Sequence, residues 1–342
     1  MQIDKKKFFE KRAVAIVIFA VVIGAMLIPS RNLSQQISDE TAKAKIYVES
    51  KNLDQDIYGS DYTVCTTTPS NCPNAINYFY KRTDVYFDFV FLKTEPVDTS
   101  GLEKRMAEAD AFLRDFKSKY YNLTIDYSYI DSSGATGDIA MDTSCILGWT
   151  YNDTTIYHKI RNDLKDYGWT NPNTTQPFRN IIDETWCISL LGENGENSAT
   201  TNHLLELKKQ EFYTYISGPD YLDRKIVGGL HYLLMFDRLQ HYGYDVSQYS
   251  DFISFIENYV VNQTQTGHLL YPLEVYHNTL YTLAKIHYQD KTFLSNLAEK
   301  IIVMQNSDGS WYVPNPTNDT RYSLLLALRC VIALNLFKVN YL

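Results

Sequence analysis

The feature that most constrains the fold of this chain is a stretch of sequence that repeats near its C-terminal end. Residues 263–267 and 305–309 are similar and lie 42 residues apart. The apolar residues before them follow with the same offset, since Phe252, Phe255, Ile256, Tyr259 and Val260 correspond to Leu294, Leu297, Ala298, Ile301 and Ile302, and Pro272 corresponds to Pro314. A period of this length, with helical spacing inside each copy, is typical of helix pairs stacked around a shared core.

The same helical spacing begins near residue 100, with Gly, Pro and Asn in the gaps between the segments. The last segment is apolar on most faces, which is typical of a buried helix. About five helix hairpins follow, from predicted helices near 101–121, 138–150, 153–167, 179–191, 202–217, 222–242, 249–262, 273–288, 292–305 and 319–338.

Residues 305–311 read Gln-Asn-Ser-Asp-Gly-Ser-Trp and lie between an amphipathic and an apolar segment. This resembles the Gln-x-x-x-Gly-x-Trp repeat of the squalene cyclase and protein prenyltransferase superfamily. Residues 263–269 resemble a degraded copy with Leu269 in the place of Trp311, and residues 165–169 a looser one. The resemblance implies an incomplete (α/α) toroid over residues 100–342. It transfers no chemistry, because the Asp-x-Asp-Asp box, the zinc-ligand spacing and the Cys-x-x-Gln motif of these families are absent from the sequence.

The N-terminus predicts a membrane helix. Five Lys and Arg residues within 5–12 precede sixteen apolar residues at 13–28, and a cationic flank stays in the cytoplasm. Residues 1–30 are therefore predicted to be a single-pass anchor with the rest of the chain outside. Two alternatives remain open: cleavage after Ala25, which would release the protein, and processing at residues 12–15, which resemble a pilin-like site.

Two segments separate the predicted anchor from the predicted toroid. Residues 31–56 are polar and are interpreted as a stalk. Residues 57–99 are interpreted as a small β-containing element, because residues 84–92 are rich in aromatic and β-branched side chains and turn residues precede them.

The cysteines and sequons agree with an oxidising, extracytoplasmic location. Cys65 and Cys72 bracket a loop that a disulfide would staple, and Cys145 and Cys187 are one repeat apart, close enough in the proposed register to pair. Cys330 lies in an apolar segment and is interpreted as a buried thiol. Glycosylation sequons follow the apolar run at Asn32, Asn122, Asn152, Asn173, Asn262 and Asn318.

Charge and motifs exclude several functions. A net charge of −8, with no basic patch beyond the N-terminus, argues against nucleic acid as a partner. No metal-ligand spacing, phosphate-binding glycine loop or Gly-x-Ser-x-Gly elbow is present in the sequence, so neither a metal nor another cofactor is predicted. The membrane and a polysaccharide remain as the predicted partners, and the sequence does not define the oligomeric state.

A candidate site arises because each predicted inner helix begins beside an acidic residue, and these beginnings meet at one end of a toroid cavity. We predict Glu274 as a general base, with His277 or Tyr322 as proton donor and Arg321 as the contact to an anionic substrate. Asp319 completes this catalytic group. The alternative role for the acids is helix capping. Substrate-binding residues are predicted to be Asp183, Glu184, Trp186, Asp223 and His231.

Three functions are compatible with these features. The first is a glycan-active enzyme, a lyase, epimerase or hydrolase on surface polysaccharide. The second is a non-catalytic cell-surface or pilus-associated scaffold or binding module. The third is an isoprenoid-binding protein, which the resemblance suggests. A polar cavity with a carboxylate pair favours the first, a filled centre the second, and a deep apolar pocket the third.

Overall fold

The computed structural model describes residues 32–73, 95–120, 198–311 and 320–342, with isolated positions 86, 88, 89, 92, 93, 188, 189 and 192. These residues are 78% helical and contain no strand, which confirms a mainly helical fold. The helices with both ends described are α1 (Leu33–Ser50), α2 (Leu53–Tyr58), α3 (Tyr62–Thr67), α4 (Glu103–Tyr120), α5 (Ser198–Ser217), α6 (Leu222–His241), α7 (Ser250–Thr266), α8 (Pro272–Lys285), α9 (Lys291–Val303) and α10 (Thr320–Tyr341).

Helices α4 to α10 coincide with predicted helices, with ends that differ by four residues at most. Local sequence explains several of these starts. Pro272 occupies the first turn of α8, where its missing N–H costs nothing. The Asp290 side chain caps α9 by accepting from the Phe293 N–H. The predicted helices at 138–150 and 153–167 lie outside the described residues, and of that at 179–191 only Ile188 and Ser189 are described, both helical.

Helices α6, α8 and α10 run in the same direction. The side chain of Asp223, in the first turn of α6, accepts a hydrogen bond from the Tyr271 N–H just before α8, at 2.6 Å. At the other end, the Asn340 side chain in α10 donates to the Ala284 carbonyl in α8 at 3.0 Å. The start of α6 thus lies beside the start of α8, and the end of α8 lies beside the end of α10. The three helices are therefore parallel neighbours, and they form an inner layer.

Helices α7 and α9 pack against this layer from one side. The buried residues of α7 follow one face at a spacing of four, as an amphipathic outer helix requires: Phe252, Ile256, Val260 and Thr264. Helix α6 approaches this face closely at Gly229, where a Cβ atom would lie 2.9 Å from a methyl of Val260. Any larger residue at Gly229 would push the two layers apart.

Helix α1 comes early in the sequence but packs beside the last described helix, α10. It packs against both α9 and α10. The Lys338 ammonium group donates to the Ser38 hydroxyl at 2.6 Å, and Tyr47 and Ser323 share a hydrogen bond of 3.1 Å. The start of α1 therefore meets the end of α10, so the two helices are antiparallel. Helix α1 therefore packs on α10 in the way that α9 packs on α8.

The motif at residues 305–311 holds α1 in this position. The Gln305 side chain donates to the Glu40 carbonyl at 2.9 Å and to the Gly309 carbonyl at 3.1 Å. Gly309 has a φ of +90°, and a Cβ atom there would collide with the Lys43 carbonyl of α1. Trp311 is fully buried and donates to the Ile301 carbonyl at 2.7 Å. This loop is a docking surface for a helix.

Two interpretations of the N-terminal half are corrected. The stalk expected over 31–56 is wrong for residues 33–50, because Ile37, Ala44 and Val48 of α1 are fully buried in the core. The β-containing element expected over 57–99 has no strand among its described residues, and positions 86, 88, 89, 92 and 93 of the expected strand are helical. Tyr86, Phe89 and Leu92 are buried at a spacing of three, which places them on one face of a helix.

The cysteine predictions are confirmed where they are described. Cys65 and Cys72 form a disulfide with a Cα–Cα separation of 4.4 Å, and Cys330 is a buried free thiol in α10. Cys145 and Cys187 lie outside the described residues.

One helix in the described part of the chain has the length and composition of a membrane span. It covers Ser323–Tyr341 with a mean hydropathy of 1.6, and 67% of it is buried inside the fold, as for a core helix of a folded domain. The predicted anchor at 13–28 lies outside the described residues.

Candidate functional site

The parallel start of α6 and α8 is fixed by Asp223. Its carboxylate is buried and accepts from the Leu270 N–H at 3.1 Å and from the Tyr271 N–H at 2.6 Å. The role predicted for Asp223 was substrate binding, whereas both oxygens satisfy backbone donors of the loop before α8. This carboxylate is a clamp between two inner helices, and each of its two partly buried hydrogen bonds contributes about 1.5–3 kcal/mol, as is typical of bonds to a charged group.

The predicted catalytic residues are only partly described. Glu274 is half-buried in the first turn of α8, and His277 is buried one turn further along. Arg321 and Tyr322 lie in the first turn of α10. Asp319, Asp183, Glu184 and Trp186 lie outside the described residues, so the proposed approach of Glu274 to Asp319 stays a prediction.

Exposed aromatic residues flank the Asp223 clamp. Tyr221 and Tyr271 precede α6 and α8 as their N-cap residues and are 62% and 51% exposed. Leu270 is exposed beside them, and Arg224 extends into solvent from the next turn of α6, 3.7 Å from Asp220. Because the clamp joins the two helix starts, the two tyrosines occupy equivalent positions on adjacent repeats. We call Tyr221, Leu270 and Tyr271 the tyrosine rim.

A polar stripe runs from this end along the inner helices. On α8, Glu274, His277, Tyr281 and Lys285 recur at spacings of three and four, so they share one face of the helix. On α6, His231 and Arg238 are one heptad apart and share a face in the same way. Measured along the helices from the clamp, His231 and His277 lie about 12 Å and about 9 Å deep, at 1.5 Å per residue.

His231 and His277 are sequence-predicted site residues that lie on adjacent helices at similar distances from the clamp. Both experience the positive charge of Arg329 in α10, and His231 also experiences that of Arg238. Burial, helped by these charges, lowers the pKa of each histidine to about 3. Both imidazoles are therefore neutral at physiological pH, and each has one N–H donor.

Each of these imidazoles has a shielded nitrogen with no hydrogen-bond partner in the described part of the chain. The atoms are Nδ1 of His231 and Nε2 of His277. His277 is only 1% exposed, so water does not compensate for a missing partner. The tautomer decides whether each of these nitrogens is the N–H donor or the acceptor of its ring, and a buried donor without a partner costs about 1–3 kcal/mol.

A second set of charges, which no sequence pattern predicts, lies at the far end of the stripe. Glu95 is buried and accepts a hydrogen bond from the Tyr281 hydroxyl at 2.9 Å. Both of its carboxylate oxygens also accept from the Lys285 ammonium group, each at 2.9 Å. Asp88 pairs with Arg329 at 2.9 Å. Burial and the Glu95 charge raise the pKa of Tyr281 well above its usual value. The segment that carries Asp88 and Glu95 thus covers part of the inner face.

The chemistry available here favours binding over proton transfer. A histidine whose pKa lies near 3 is a weak base at neutral pH, and a tyrosine with a raised pKa is a weak acid. In the described residues no group of three His, Cys, Asp or Glu side chains could hold a metal ion. What remains is a set of aromatic surfaces, neutral N–H donors and guanidinium groups, which suits a polar ligand with aromatic stacking and anionic groups.

Two of the predicted glycosylation sites are described. Asn32 caps α1, with its side-chain oxygen accepting from the Gln35 N–H at 2.8 Å. Asn262 is exposed on α7, while Thr264 of the same sequon is buried against Thr279. Asn122, Asn152, Asn173 and Asn318 lie outside the described residues.

Comparison with known proteins finds no family model, no curated protein and no solved structure that matches the chain. The functional conclusion therefore rests on the site itself.

Proposed function

We propose that this chain is a membrane-anchored, extracytoplasmic module that binds a surface glycan through the tyrosine rim. The observation that carries the proposal is the pairing of Tyr221 and Tyr271 by the Asp223 clamp. Two large exposed rings at equivalent repeat positions present a surface on which pyranose rings stack, and a sugar chain repeats as the helix pairs do. Arg224 beside them supplies a contact for an anionic sugar.

The location outside the cell is supported by the disulfide between Cys65 and Cys72, since such bonds persist in oxidising compartments. The cationic and apolar residues at 5–28 supply the anchor in this proposal. Asn32 and Asn262 are available at the surface for modification. The complete toroid, with a ring of inner helices, belongs to the same proposal.

Binding without turnover is favoured because Asp223, which was predicted to bind substrate, is occupied by backbone donors. His231 and His277, whose pKa values are lowered to about 3, are weak bases. The segment that carries Asp88 and Glu95 also fills part of the inner face. The polar stripe counts against the isoprenoid alternative, because burying a prenyl chain against charged groups is costly.

The experiment is a binding titration of the purified protein with one acidic and one neutral polysaccharide of matched chain length. The single variants Tyr221→Ala and Tyr271→Ala should each weaken binding roughly 3- to 10-fold, the loss expected for about 0.5–1.5 kcal/mol of aromatic contact. Arg224→Ala should reduce the preference for the acidic polymer. Tyr213→Ala is the matched control, since Tyr213 is an exposed ring on α5 that packs on Phe255 away from the rim.

Equal affinity of the wild type and the Tyr221→Ala/Tyr271→Ala double variant would exclude the rim as the binding surface. Equal weakening by Tyr213→Ala would indicate general adhesion to exposed aromatic groups instead of a site.

A glycan-active enzyme is the second candidate, and one observation favours it. Glu274 lies at the rim end of the stripe, one turn before His277, where a bound glycan would pass. If the protein cleaves or epimerises its glycan, Glu274→Gln should abolish turnover while the affinity for the polymer and the unfolding temperature stay unchanged. If no product forms after prolonged incubation with the bound polymer, the enzyme alternative is excluded and the binding module is retained.

A further inference from the structure

We propose that Asn262 carries an N-linked glycan, added before α7 packs into the fold, and that the first sugars of this glycan lie on an exposed aromatic surface beside it. This surface consists of Tyr213 on α5 with Phe255 and Tyr259 on α7, and we call it the aromatic patch. The inference rests on the external location given in the proposed function, but it does not depend on glycan binding at the tyrosine rim.

The first argument is the patch itself. The side chains of Tyr213 and Phe255 are both exposed, and their ring centroids are 5.0 Å apart. Tyr259 is partly buried one turn further along α7. The residue that corresponds to Phe255 in the other sequence repeat, Leu297 on α9, is buried. An apolar position that is covered in one repeat is therefore open to solvent in the other, and aromatic faces of this kind are surfaces on which sugar rings stack.

The second argument is the position of Asn262 on the same helix. Asn262 is exposed and follows Tyr259 by three residues and Phe255 by seven, so the three side chains share one face of α7. Measured along the helix axis at 1.5 Å per residue, Asn262 is about 10 Å from Phe255. A glycan attached to Asn262 therefore begins beside the aromatic patch and reaches it with its first sugars.

The order of events follows from the burial of the third sequon residue. The sequon is Asn262-Gln263-Thr264, and the transferase that modifies it must contact the Thr hydroxyl as well as the Asn. Thr264 is buried in the folded protein, and its hydroxyl lies 3.5 Å from that of Thr279 on α8. This hydroxyl is out of reach once α7 has packed against α8, so the glycan must be added before the two helices meet.

The covalent step needs one co-reactant, a lipid-linked sugar phosphate. A bond forms between Nδ2 of Asn262 and C1 of the first sugar, while the bond from C1 to the phosphate oxygen breaks. The lipid phosphate leaves with the bonding electrons, and the Asn262 amide group loses one proton.

The first measurement is the mass of the peptide that contains Asn262, taken from full-length protein purified from cells that glycosylate their surface proteins. This peptide should carry the mass of a glycan. In a cell-free synthesis, Asn262 should be modified when the transferase and its lipid-linked donor are present during translation, and should stay unmodified when both are added to the folded protein. Modification of the folded protein at Asn262 would contradict the proposed order.

The second measurement tests the contact between the glycan and the patch by chemical denaturation. In glycosylated protein, Asn262→Gln should lower the folding equilibrium constant roughly 3- to 10-fold, the loss expected for one aromatic contact. The same substitution should have no effect in protein made without glycans, because only the side chain then changes. Added to Phe255→Ala, Asn262→Gln should cause no further loss even in glycosylated protein. Added to Tyr271→Ala, at an exposed aromatic residue of the rim, it should cause the full loss.

The proposal is overturned if Asn262 is unmodified in protein whose other sequons carry glycans, or if Asn262→Gln costs as much with Phe255→Ala as without it. Loss of the glycan effect in Tyr271→Ala alone would place the glycan on the rim instead. If no sequon of the chain is occupied, the inference fails together with the external location, while the polysaccharide titration still decides the role of the rim. If Phe255→Ala does not fold, Tyr213→Ala tests the same contact from α5.

Discussion

Gln305 donates its side-chain N–H to the main-chain carbonyl of Glu40 at 2.9 Å, across 265 residues of sequence. This hydrogen bond joins the repeat motif to helix α1 and shows what the motif does in this chain. It holds the first described helix against the last two, with Gly309 and Trp311 completing the contact.

The first prediction concerns Gly309. Gly309→Ala should destabilise the fold by about 3 kcal/mol or more, because the positive φ and the collision with the Lys43 carbonyl add together. Gly101→Ala is the matched control: Gly101 has a similar φ of +82° but no atom within 4 Å of the added Cβ, so it should cost only about 1–2 kcal/mol. Chemical denaturation measures both. Equal costs would mean that α1 is not held where the structure has it.

The second prediction concerns the clamp. Asp223→Ala should destabilise the protein by about 2–4 kcal/mol, since it leaves the Leu270 and Tyr271 N–H groups without their acceptor. Asp223→Asn should cost less, because an amide oxygen still accepts one of the two bonds. Asp251→Ala, at an exposed first-turn carboxylate of α7, should stay within about 1 kcal/mol of the wild type. If Asp223→Ala folds with unchanged stability and only loses ligand, the substrate-binding role would be restored.

The third prediction concerns acid. The pKa of His277 is about 3 in the folded protein and near 6.5 in the unfolded chain, so between these values the unfolded state binds the extra proton. Stability should therefore be unaffected by this group above pH 6.5 and fall as the pH drops towards 3, by up to about 1.4 kcal/mol per pH unit. His277→Gln should flatten this part of the stability curve. Superimposable wild-type and variant curves in this range would show that His277 titrates normally and is not buried as described.

The fourth prediction concerns topology. If residues 13–28 anchor the chain with their cationic flank inside, protease added to intact cells should digest the region from residue 32 onward. The digestion should be slow for the folded domain and faster after reduction, which opens the Cys65–Cys72 loop. Complete protection in unbroken cells, with digestion only after lysis, would contradict an external domain.

The sequence predicts the paired helices well because their signal is local. Phe252, Ile256 and Val260 recur at a spacing of four on α7, and this spacing alone indicates a helix with one buried face. The sequence also brings His231 and His277 into consideration, since they occupy similar places in successive inner helices. The spacing of residues within each helix is enough to predict both the buried face of α7 and the matching positions of the two histidines.

The errors occur where the deciding contacts are distant in sequence. Helix α1 reads as a polar stalk because only Ile37, Ala44 and Val48 reveal a buried face, and their partners lie in α9 and α10. The expected strand over residues 84–92 is a short aromatic run, for which a spacing of two and a spacing of three are hard to tell apart. Glu95 is also far in sequence from its partners Tyr281 and Lys285, so no local pattern predicts this pairing.

The docking of α1 on α10 has a consequence for biosynthesis. The ribosome makes α1 (Leu33–Ser50) long before α10 (Thr320–Tyr341), so α1 waits through the synthesis of all the helices between them before its partner exists. During that interval its apolar face, formed by Ile37, Ala44 and Val48, has nothing native to cover it. Formation of such distant contacts is slow, and an uncovered apolar helix is prone to aggregate. We therefore expect newly made chains to need a holding chaperone until α10 has been made.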